Sequence, residues 1–394
     1  MSEWKEKTLG ELSIRVSSGL TPLKSNKEFW ENPIIPWLKT DQLGEKYIFD
    51  TNTKISKEAL EQTSLRIYPE NTISIAMYGE GKTRGNLSII KAPMTTNQAC
   101  CNIELDTKLA DVEYVYYYLK TQYDALRKLS SGVRKNLNSN DIKNYKIYIP
   151  ESVSFQKSIV RILTSLDNKI SVNNQINQEL EAMAKTLYDY WFVQFDFPDQ
   201  NGKPYKSSGG KMVYHPELKR EIPEGWGVSK VGELQIATGK RDANFGTENG
   251  KYDFWTTANS PIKADEFSFE GKAILIAGNG NFYVNFTEGK FEAYQRTYVI
   301  QSEDENMLIF MYMACLQSVE KLRKGSNGSI IKYITIGDVD NIASPYDKKV
   351  VDDFVKIYSP LINLISKNKR QNQELTQLRD WLLPMLMNGQ VKVE

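Results

Sequence analysis

Two long stretches of the chain carry apolar residues at helical spacing. From residue 155 to 192, and again from 351 to 386, apolar positions recur in steps of three and four or their sums. Such a series puts one apolar stripe on a helix, the seam that pairs with a second helix. The predicted seam residues are Ile159, Leu163, Leu166, Ile170, Leu180, Met183, Leu187 and Trp191 in the first stretch, and Val351, Phe354, Tyr358, Leu361, Ile365, Leu375, Leu378, Leu382 and Leu386 in the second.

The middle of each stripe is polar. Asn173 and Asn177 interrupt the first stripe, and Asn368 and Asn372 interrupt the second. Polar residues at seam positions lower stability but can fix the register of two helices. About 38 residues at about 1.5 Å each give a rod of about 57 Å. The pattern therefore favours a spacer of two paired helices over an ordinary pair of core helices, although two prolines in the second stretch are expected to kink it or mark its ends.

The chain repeats itself. Asn-Gln-Glu-Leu occurs at 177–180 and 372–375, and the same offset of 195 places Pro150 on Pro345 and Ile170 on Ile365. The starts of the two halves also match, because Gly-Glu-Leu occurs at 10–12 and 232–234, an offset of 222. Similar ends around divergent middles predict one scaffold that carries two differently specialised modules.

The two variable regions are expected to mix helices and strands. Strands are predicted at 72–78, 87–90, 101–105, 146–149, 273–277 and 297–300, and helices at 112–129 and 307–323. The fold class is therefore α+β, with two globular mixed α/β domains separated by two long antiparallel helices that form a coiled coil. The predicted boundaries are 1–150 and 222–345 for the globular domains, 151–196 and 346–394 for the helices, and 197–221 for a long surface loop that connects the halves.

The charge of the chain is balanced overall but uneven along its length. Fifty Lys and Arg residues face 49 Asp and Glu residues. A nucleic-acid-binding surface would therefore have to be local, and basic residues do cluster at 120–146 and at 320–332. Each cluster alone is typical of a solvated helix end, but both occupy the same place in the repeat.

Several classes of function are disfavoured by composition. His215 is the single histidine, and Cys100, Cys101 and Cys315 have no metal-binding spacing. We therefore expect no metal, no disulfide and a reducing cytoplasm. The first residues lack the apolar core of a signal peptide, and no stretch approaches the length of about 18 apolar residues typical of a membrane span.

Glycine-rich loops follow a predicted strand in each half. Residues 76–83 nearly match a phosphate-binding loop, but a strand, not the required helix, is predicted to follow, which disfavours an ATPase. Glycine lets a backbone approach a ligand closely, and Asn, Arg and Lys contact bases and phosphates. The candidate DNA-binding residues here are Lys82, Arg84 and Asn86 in the first half and Asn279, Asn281 and Tyr283 in the second.

Two further segments recur in each half. A polar pair contains Asn97 and Gln98 in the first half and Gln295 and Arg296 in the second; such side chains can contact adenine or satisfy backbone groups. A basic loop then precedes the last strand, and its small polar and cationic residues suit phosphate oxygens. Its candidate residues are Arg134, Lys135 and Asn136 in the first half and Lys324, Ser326, Asn327 and Lys332 in the second. A scaffold that joins partner proteins without touching DNA is the alternative.

These motifs, taken in order, resemble the specificity subunits of type I restriction-modification systems. The resemblance rests on Gly-Glu-Leu at 10–12 and 232–234, Ile-Pro-Glu-Gly-Trp at 222–226, the two Asn-Gln-Glu-Leu helices and Leu-Arg-Asp-Trp-Leu-Leu-Pro at 378–384, and it covers the whole chain. It implies a non-catalytic subunit with two target-recognition domains, each reading one half of a bipartite site in double-stranded DNA. It also implies that the helices set the spacing of the half-sites and dock two methyltransferase subunits.

The resemblance assigns the cofactors to other chains. The methyltransferase subunits would carry S-adenosylmethionine, and a restriction and translocation subunit would use ATP and Mg²⁺. The present chain is expected to hold no cofactor of its own, and no membrane is expected among its partners.

Overall fold

The chain divides into two units, each of which contains one variable domain and part of both long helices. The computed structural model describes residues 3–79, 83–129, 136–248, 250–328 and 332–391. Unit 1 comprises Met1–Val172 with Arg370–Glu394, and unit 2 comprises Asn173–Lys369. The α+β class predicted from the sequence is confirmed, because both units combine sheets with helices.

The described residues of unit 1 form three sheets and four short α-helices, in addition to parts of the two long helices. Strands β2, β9, β6, β7 and β4 form one sheet in that order, β5, β3 and β8 form a second, and β1 pairs antiparallel with β10. The strands are β1 (Trp4–Thr8), β2 (Ser13–Ser18), β3 (Ile35–Leu38), β4 (Tyr47–Ile48), β5 (Lys54–Ile55), β6 (Ile73–Ala76), β7 (Leu87–Ile90), β8 (Thr95–Thr96), β9 (Cys100–Leu105) and β10 (Lys146–Pro150). The helices are α1 (Lys57–Glu61), α2 (Val112–Thr121), α3 (Tyr123–Lys128) and α4 (Ser139–Lys143).

The first long helix, α5 (Val153–Tyr188), begins in unit 1 and ends in unit 2. Its first turn is capped by the Ser152 hydroxyl, which accepts a hydrogen bond from the Phe155 amide at 3.3 Å. A short π-helical turn, Asp189–Val193, continues it and buries Trp191 and Phe192. The predicted helix at 151–196 is therefore confirmed for most of its length.

Unit 2 has a six-stranded sheet in the order β14, β19, β17, β18, β15 and β16, and two antiparallel pairs, β11–β12 and β13–β20. The strands are β11 (Met212–His215), β12 (Arg220–Pro223), β13 (Gly227–Lys230), β14 (Gln235–Thr238), β15 (Tyr252–Trp255), β16 (Ile262–Ala264), β17 (Phe269–Ala277), β18 (Val284–Ala293), β19 (Thr297–Gln301) and β20 (Ala343–Tyr346). The helices are α6 (Glu305–Gly325), α7 (Ile336–Asp340) and α8 (Lys348–Met387), of which α8 returns into unit 1.

The connector predicted as a surface loop at 197–221 is partly folded, so this prediction was wrong. Strands β11 and β12 form a hairpin with Met212 opposite Pro223. Phe197 is buried and stacks on Tyr205 and Trp226, with ring centroids 4.8 and 4.9 Å apart. The connector is rich in Gly, Ser and Lys, so its composition indicated an exposed loop. A few aromatic residues nevertheless pack together and bury part of it.

In unit 2, the end of α5 packs on the start of α8 through aromatic side chains. The Phe192 ring lies 4.8 Å from Phe310 and 5.2 Å from Phe354, and Trp191 lies 5.9 Å from Phe354. Farther along, the Asn368 amide donates a hydrogen bond to the Asn177 side-chain oxygen at 2.9 Å. The helices are antiparallel here, and the asparagines meet in the seam as predicted.

In unit 1, the start of α5 packs on the end of α8. Leu386 and Met387 share a buried core with Ile159 and Leu163, and the Asn372 amide donates to the Ile170 carbonyl at 3.4 Å. The remaining predicted pairing residues are at least half-buried in their own units: Leu166, Leu180, Leu187, Leu361, Ile365, Leu375 and Leu382.

Two seam predictions were wrong. Met183 and Leu378 are 58% and 43% exposed, and Ala184, next to Met183, is buried instead. The alternation of steps of three and four leaves the exact edge of a stripe ambiguous by one residue. The prolines were expected to kink the second helix or to mark its ends. Pro360 does not mark an end, since α8 continues through it, and Pro384 lies in the last turns of α8.

Candidate nucleic-acid interface

Three segments that are separate in the sequence of unit 2 meet at Gly278. The Gly278 amide donates a hydrogen bond to the Arg296 carbonyl at 2.7 Å, and its carbonyl accepts one from the Ile334 amide at 3.0 Å. The Gly280 amide donates to the Lys332 carbonyl at 2.9 Å. The backbone thus ties together the glycine-rich loop, the polar pair and the end of the basic loop.

A polar cleft of about 400 Å³ lies where these segments meet. Its lining consists of Thr238, Gly278, Gln295, Arg296, Tyr298, Tyr333 and Ile334. Gln295 and Arg296 are exposed, so their side chains are available to a ligand. A Cβ on Gly278 would lie 2.6 Å from the Arg296 carbonyl oxygen, so only glycine fits there.

Unit 1 contains the same backbone frame around different side chains. The Met77 amide donates to the Ala99 carbonyl at 2.8 Å, and the Met77 carbonyl accepts from the Leu137 amide at 3.2 Å. Met77 therefore takes the place of Gly278. Gln98, which precedes Ala99, corresponds to Gln295, and both glutamines are exposed.

A glycine that was not predicted from the sequence follows the first strand of the largest sheet of each unit, β2 and β14, and completes the frame. The Gly19 amide donates to the Cys100 carbonyl at 3.2 Å, and the Gly239 amide donates to the Thr297 carbonyl at 2.9 Å. A Cβ at either glycine would lie within about 2.2 Å of a backbone oxygen. Their common position soon after the two Gly-Glu-Leu motifs was the signal that could have found them.

The other candidates of unit 2 have mixed surroundings. Lys324 and Lys332 are exposed. The backbone of Asn327 exchanges hydrogen bonds with Tyr333 at 2.9 and 3.0 Å, and Asn279 forms a bridge to the same tyrosine. The Ser326 hydroxyl donates to the Arg323 carbonyl at 2.7 Å and thereby closes the end of α6. The Asn281 amide donates to the Tyr283 hydroxyl at 3.1 Å.

In unit 1, some candidates bind the backbone of their own domain. The Asn86 amide donates to the Leu43 carbonyl at 3.2 Å, and the Asn97 side-chain oxygen accepts from the Ala99 amide at 3.1 Å. These bonds support the interpretation that both asparagines shape the loops. Arg84 and Asn136 are half-buried. Lys82, Arg134 and Lys135 lie outside the described residues.

The segment that resembles a phosphate-binding loop leads into a strand. The described residues after it continue into β7, which pairs with β6 and β4. A phosphate-binding loop requires the N-terminus of a helix at this point. The strand predicted to follow this segment is therefore confirmed, and a strand at this point disfavours nucleotide binding.

The titratable groups of the described residues form no obvious catalytic centre. No group of three or more His, Cys, Asp or Glu side chains among them is arranged to hold a metal ion. Burial raises the pKa of Cys100 and of Cys101 to about 12, so both thiols stay protonated near neutral pH. No helix of the described part of the chain is both long enough and apolar enough to cross a membrane.

Comparison with known proteins finds one family over most of the chain. The family described as "Type I restriction modification DNA specificity domain" matches residues 1–182 and 223–377. The chain is 28% identical to the type I restriction enzyme MjaIX specificity subunit of Methanocaldococcus jannaschii, over 100% of this chain and 94% of that protein. It is 33% identical to the EcoDI specificity subunit of Escherichia coli, over 44% of this chain and 40% of that one.

A solved structure shares the fold. The crystal structure of the S subunit of a type I restriction-modification system from M. genitalium has a TM-score of 0.61. The match covers 98% of this chain and 96% of that chain at 17% identity, so it supports the fold alone.

Proposed function

The chain belongs to the type I restriction-modification DNA specificity family, and we propose that each of its variable domains reads one half of a bipartite DNA site. As a specificity subunit, it recognises DNA sequence and is itself non-catalytic. The proposal is carried by the shared backbone frame. Met77 with Ala99 in unit 1, and Gly278 with Arg296 in unit 2, make the same hydrogen bonds but offer different side chains.

Gln98 and Gln295 are the proposed base-reading residues of the two domains. Both are exposed and stand at the same place in the frame. A glutamine amide can donate to and accept from adenine in the major groove at once. Exposed Lys324 and Lys332 would bind phosphate oxygens beside the second cleft, which would strengthen binding without selecting a sequence.

Separate substitution of the two glutamines tests this assignment. Gln98→Ala is expected to relax recognition of one half-site and Gln295→Ala that of the other, because each change removes one contact worth about 1–3 kcal/mol of discrimination. The measurement is a genome-wide methylation map of cells that produce the complete complex with each variant.

The matched control is Gln235→Ala, which changes an exposed glutamine at the far end of β14 in the same unit. This control should leave the methylated sequence unchanged. Unchanged maps for both Gln98→Ala and Gln295→Ala would refute the assignment of these residues.

We also propose that the long helices dock two copies of a methyltransferase subunit. Ile162 and Ile357 are related by the repeat offset of 195, as are Met183 and Leu378. All four are between 36% and 58% exposed, so their side chains are available to a partner. Each unit thus presents one residue from α5 and one from α8, and a repeated surface suits two identical partners.

Glutamate substitution tests the docking proposal. Ile162→Glu with Leu378→Glu should remove one methyltransferase subunit, and Met183→Glu with Ile357→Glu should remove the other. Each pair deletes apolar contacts worth about 1.5–3 kcal/mol per side chain, so affinity should fall at least about 100-fold. Native mass spectrometry of the mixed subunits gives the stoichiometry.

Ile34→Glu serves as the control for added charge, since Ile34 is 66% exposed and lies outside the long helices. This control should still bind two copies of the methyltransferase subunit. If both paired variants also bind two copies, the partner docks elsewhere.

In the proposed assembly the methyltransferase subunits carry S-adenosylmethionine, a restriction and translocation subunit uses ATP and Mg²⁺, and the present chain holds no cofactor.

A further inference from the structure

Unit 2 contains a cavity of about 450 Å³ between its sheet, α6 and the long helices. The cavity opens to the surface of the unit, and its volume lies within the range of about 300–1,000 Å³ that is typical of sites for small molecules. A little over half of the lining residues are aromatic or aliphatic. The lining includes Phe282, Tyr283, Phe286, Tyr312, Leu316 and Tyr358.

Two tyrosine hydroxyls in this lining are open to a ligand. Tyr358 is only 2% exposed, and neither its hydroxyl nor that of Tyr312 has a hydrogen-bond partner among the described residues. Neither oxygen is among the fully buried unpaired polar atoms of the described residues, so both hydroxyls are open to the cavity and able to bond a ligand. Burial raises the pKa of both tyrosines, so both remain neutral and able to donate.

The internal repeat explains where the space comes from. At the offset of 195, Ala184 and Ile362 in unit 2 correspond to Arg379 and Asp167 in unit 1. Arg379 donates to Asp167 at 2.9 Å and fills that place in unit 1. Ala184 and Ile362 line the cavity in unit 2, so a small and an aliphatic side chain stand where the other unit has an ion pair.

The cavity also touches the loop that forms the polar cleft. Phe282 is fully buried in the cavity wall and has a φ of 53°, a conformation that is uncommon for residues other than glycine. The same loop contributes Gly278 to the cleft. Strained, buried residues of this kind persist only where the surroundings hold them, and a molecule in the cavity would be one such support.

We propose that this cavity binds a small, neutral and mainly aromatic or aliphatic molecule with one polar group, which hydrogen-bonds the hydroxyls of Tyr312 and Tyr358. The five charged side chains of the lining are exposed at the rim; four of them form ion pairs, and the fifth is Lys185. Lys369 lies 3.5 Å from Glu181, and Arg323 pairs with Glu320. Because these charged side chains are exposed and mostly paired with one another, the ligand is assigned as neutral. Its binding would order the loop from Gly278 to Phe286.

The probe for this site is N-phenyl-1-naphthylamine, a neutral fluorophore with one N–H group, titrated into the full chain. Saturable binding of one probe per chain is expected. Ala184→Met should weaken it at least about tenfold by filling the cavity. Tyr358→Phe should weaken it about threefold to tenfold by removing one hydrogen bond, without unfolding a chain in which that hydroxyl has no partner.

Ala182→Met is the matched control, because Ala182 is exposed on the same helix and does not line the cavity. It should change the affinity less than about twofold. Hydrogen exchange should slow in peptides covering 278–286 when the probe binds, and should not change in 77–79 and 83–89 of unit 1. Absence of saturable binding, or equal affinity in the wild-type chain, Ala184→Met and Tyr358→Phe, would overturn the proposal.

Discussion

Insertion of one heptad into each long helix is expected to abolish recognition of the original DNA site and to create a site with the same half-sites and a longer gap. Seven residues add about 10 Å to a helix, which corresponds to about three base pairs of DNA at 34 Å per turn. The insertions would follow Asn174 in α5 and Arg370 in α8. The methylation map of cells that carry the variant complex reads both half-sites and the gap.

The reason for choosing a heptad is the seam of the helices. Seven residues make close to two turns, so the residues on either side keep nearly the same face. The insertion points lie close to where one unit ends and the other begins, because both helices pass from one unit to the other there. The hydrogen bonds of Asn177 with Asn368 and of Asn372 with Ile170 remain on their own sides of the insertion.

A heptad inserted in the connector after Gly202 is the matched control. A side chain at Gly202 would meet nothing within 4 Å, so an insertion beside it should be tolerated. This control should keep the original gap. If the variant with a heptad in both α5 and α8 also keeps the original gap while methylation persists, the helices do not set the spacing.

Asp167→Ala is expected to lower the free energy of unfolding of unit 1 by about 2–3 kcal/mol. The Asp167 carboxylate accepts a hydrogen bond from Arg379 at 2.9 Å and one from the Tyr117 hydroxyl, and it lies 3.5 Å from the Lys46 ammonium. These charged side chains are only 13–28% exposed. Removal of the carboxylate leaves Lys46 paired with Glu113 and Arg379 paired with Asp380, so the loss is expected to stay below the cost of about 3–5 kcal/mol for a buried charge left without any partner.

The pKa of Arg379 agrees with this role. Burial alone would lower the pKa of the guanidinium, but hydrogen bonds to Asp167 and Asp380 raise it overall. The arginine therefore stays charged in the fold. It joins α8 to α5, while Tyr117 and Lys46 join the same carboxylate to the globular part of unit 1.

Urea unfolding, followed by hydrogen exchange of peptides from α2 and from the start of α5, measures the loss. Asp380→Ala is the control, since Asp380 pairs with the same arginine but is 59% exposed, and exposed pairs contribute at most about 1 kcal/mol. Equal losses for Asp167→Ala and Asp380→Ala would contradict the prediction that the buried carboxylate holds unit 1 together.

The sequence by itself determined the repeat, the class of fold and the two long helices. A helix with an apolar residue at every third or fourth position must pack that face against another element. The Asn-Gln-Glu-Leu motif at Asn177 recurs at Asn372, which showed that the pattern occurs twice. The polar interruptions of both stripes were visible as well. These features are local or periodic, so they can be read without knowing which segments meet.

Only the tertiary structure showed that Gly278, Arg296 and Ile334 share one backbone frame, and that Met77, Ala99 and Leu137 repeat it. It also exposed Met183 where a seam residue was predicted, and buried Phe197 where a loop was predicted. The physical reason is that contacts between residues far apart in the chain depend on how the sheets and helices pack. Hydrophobic periodicity reports the face of one element, and it does not report which other element covers that face.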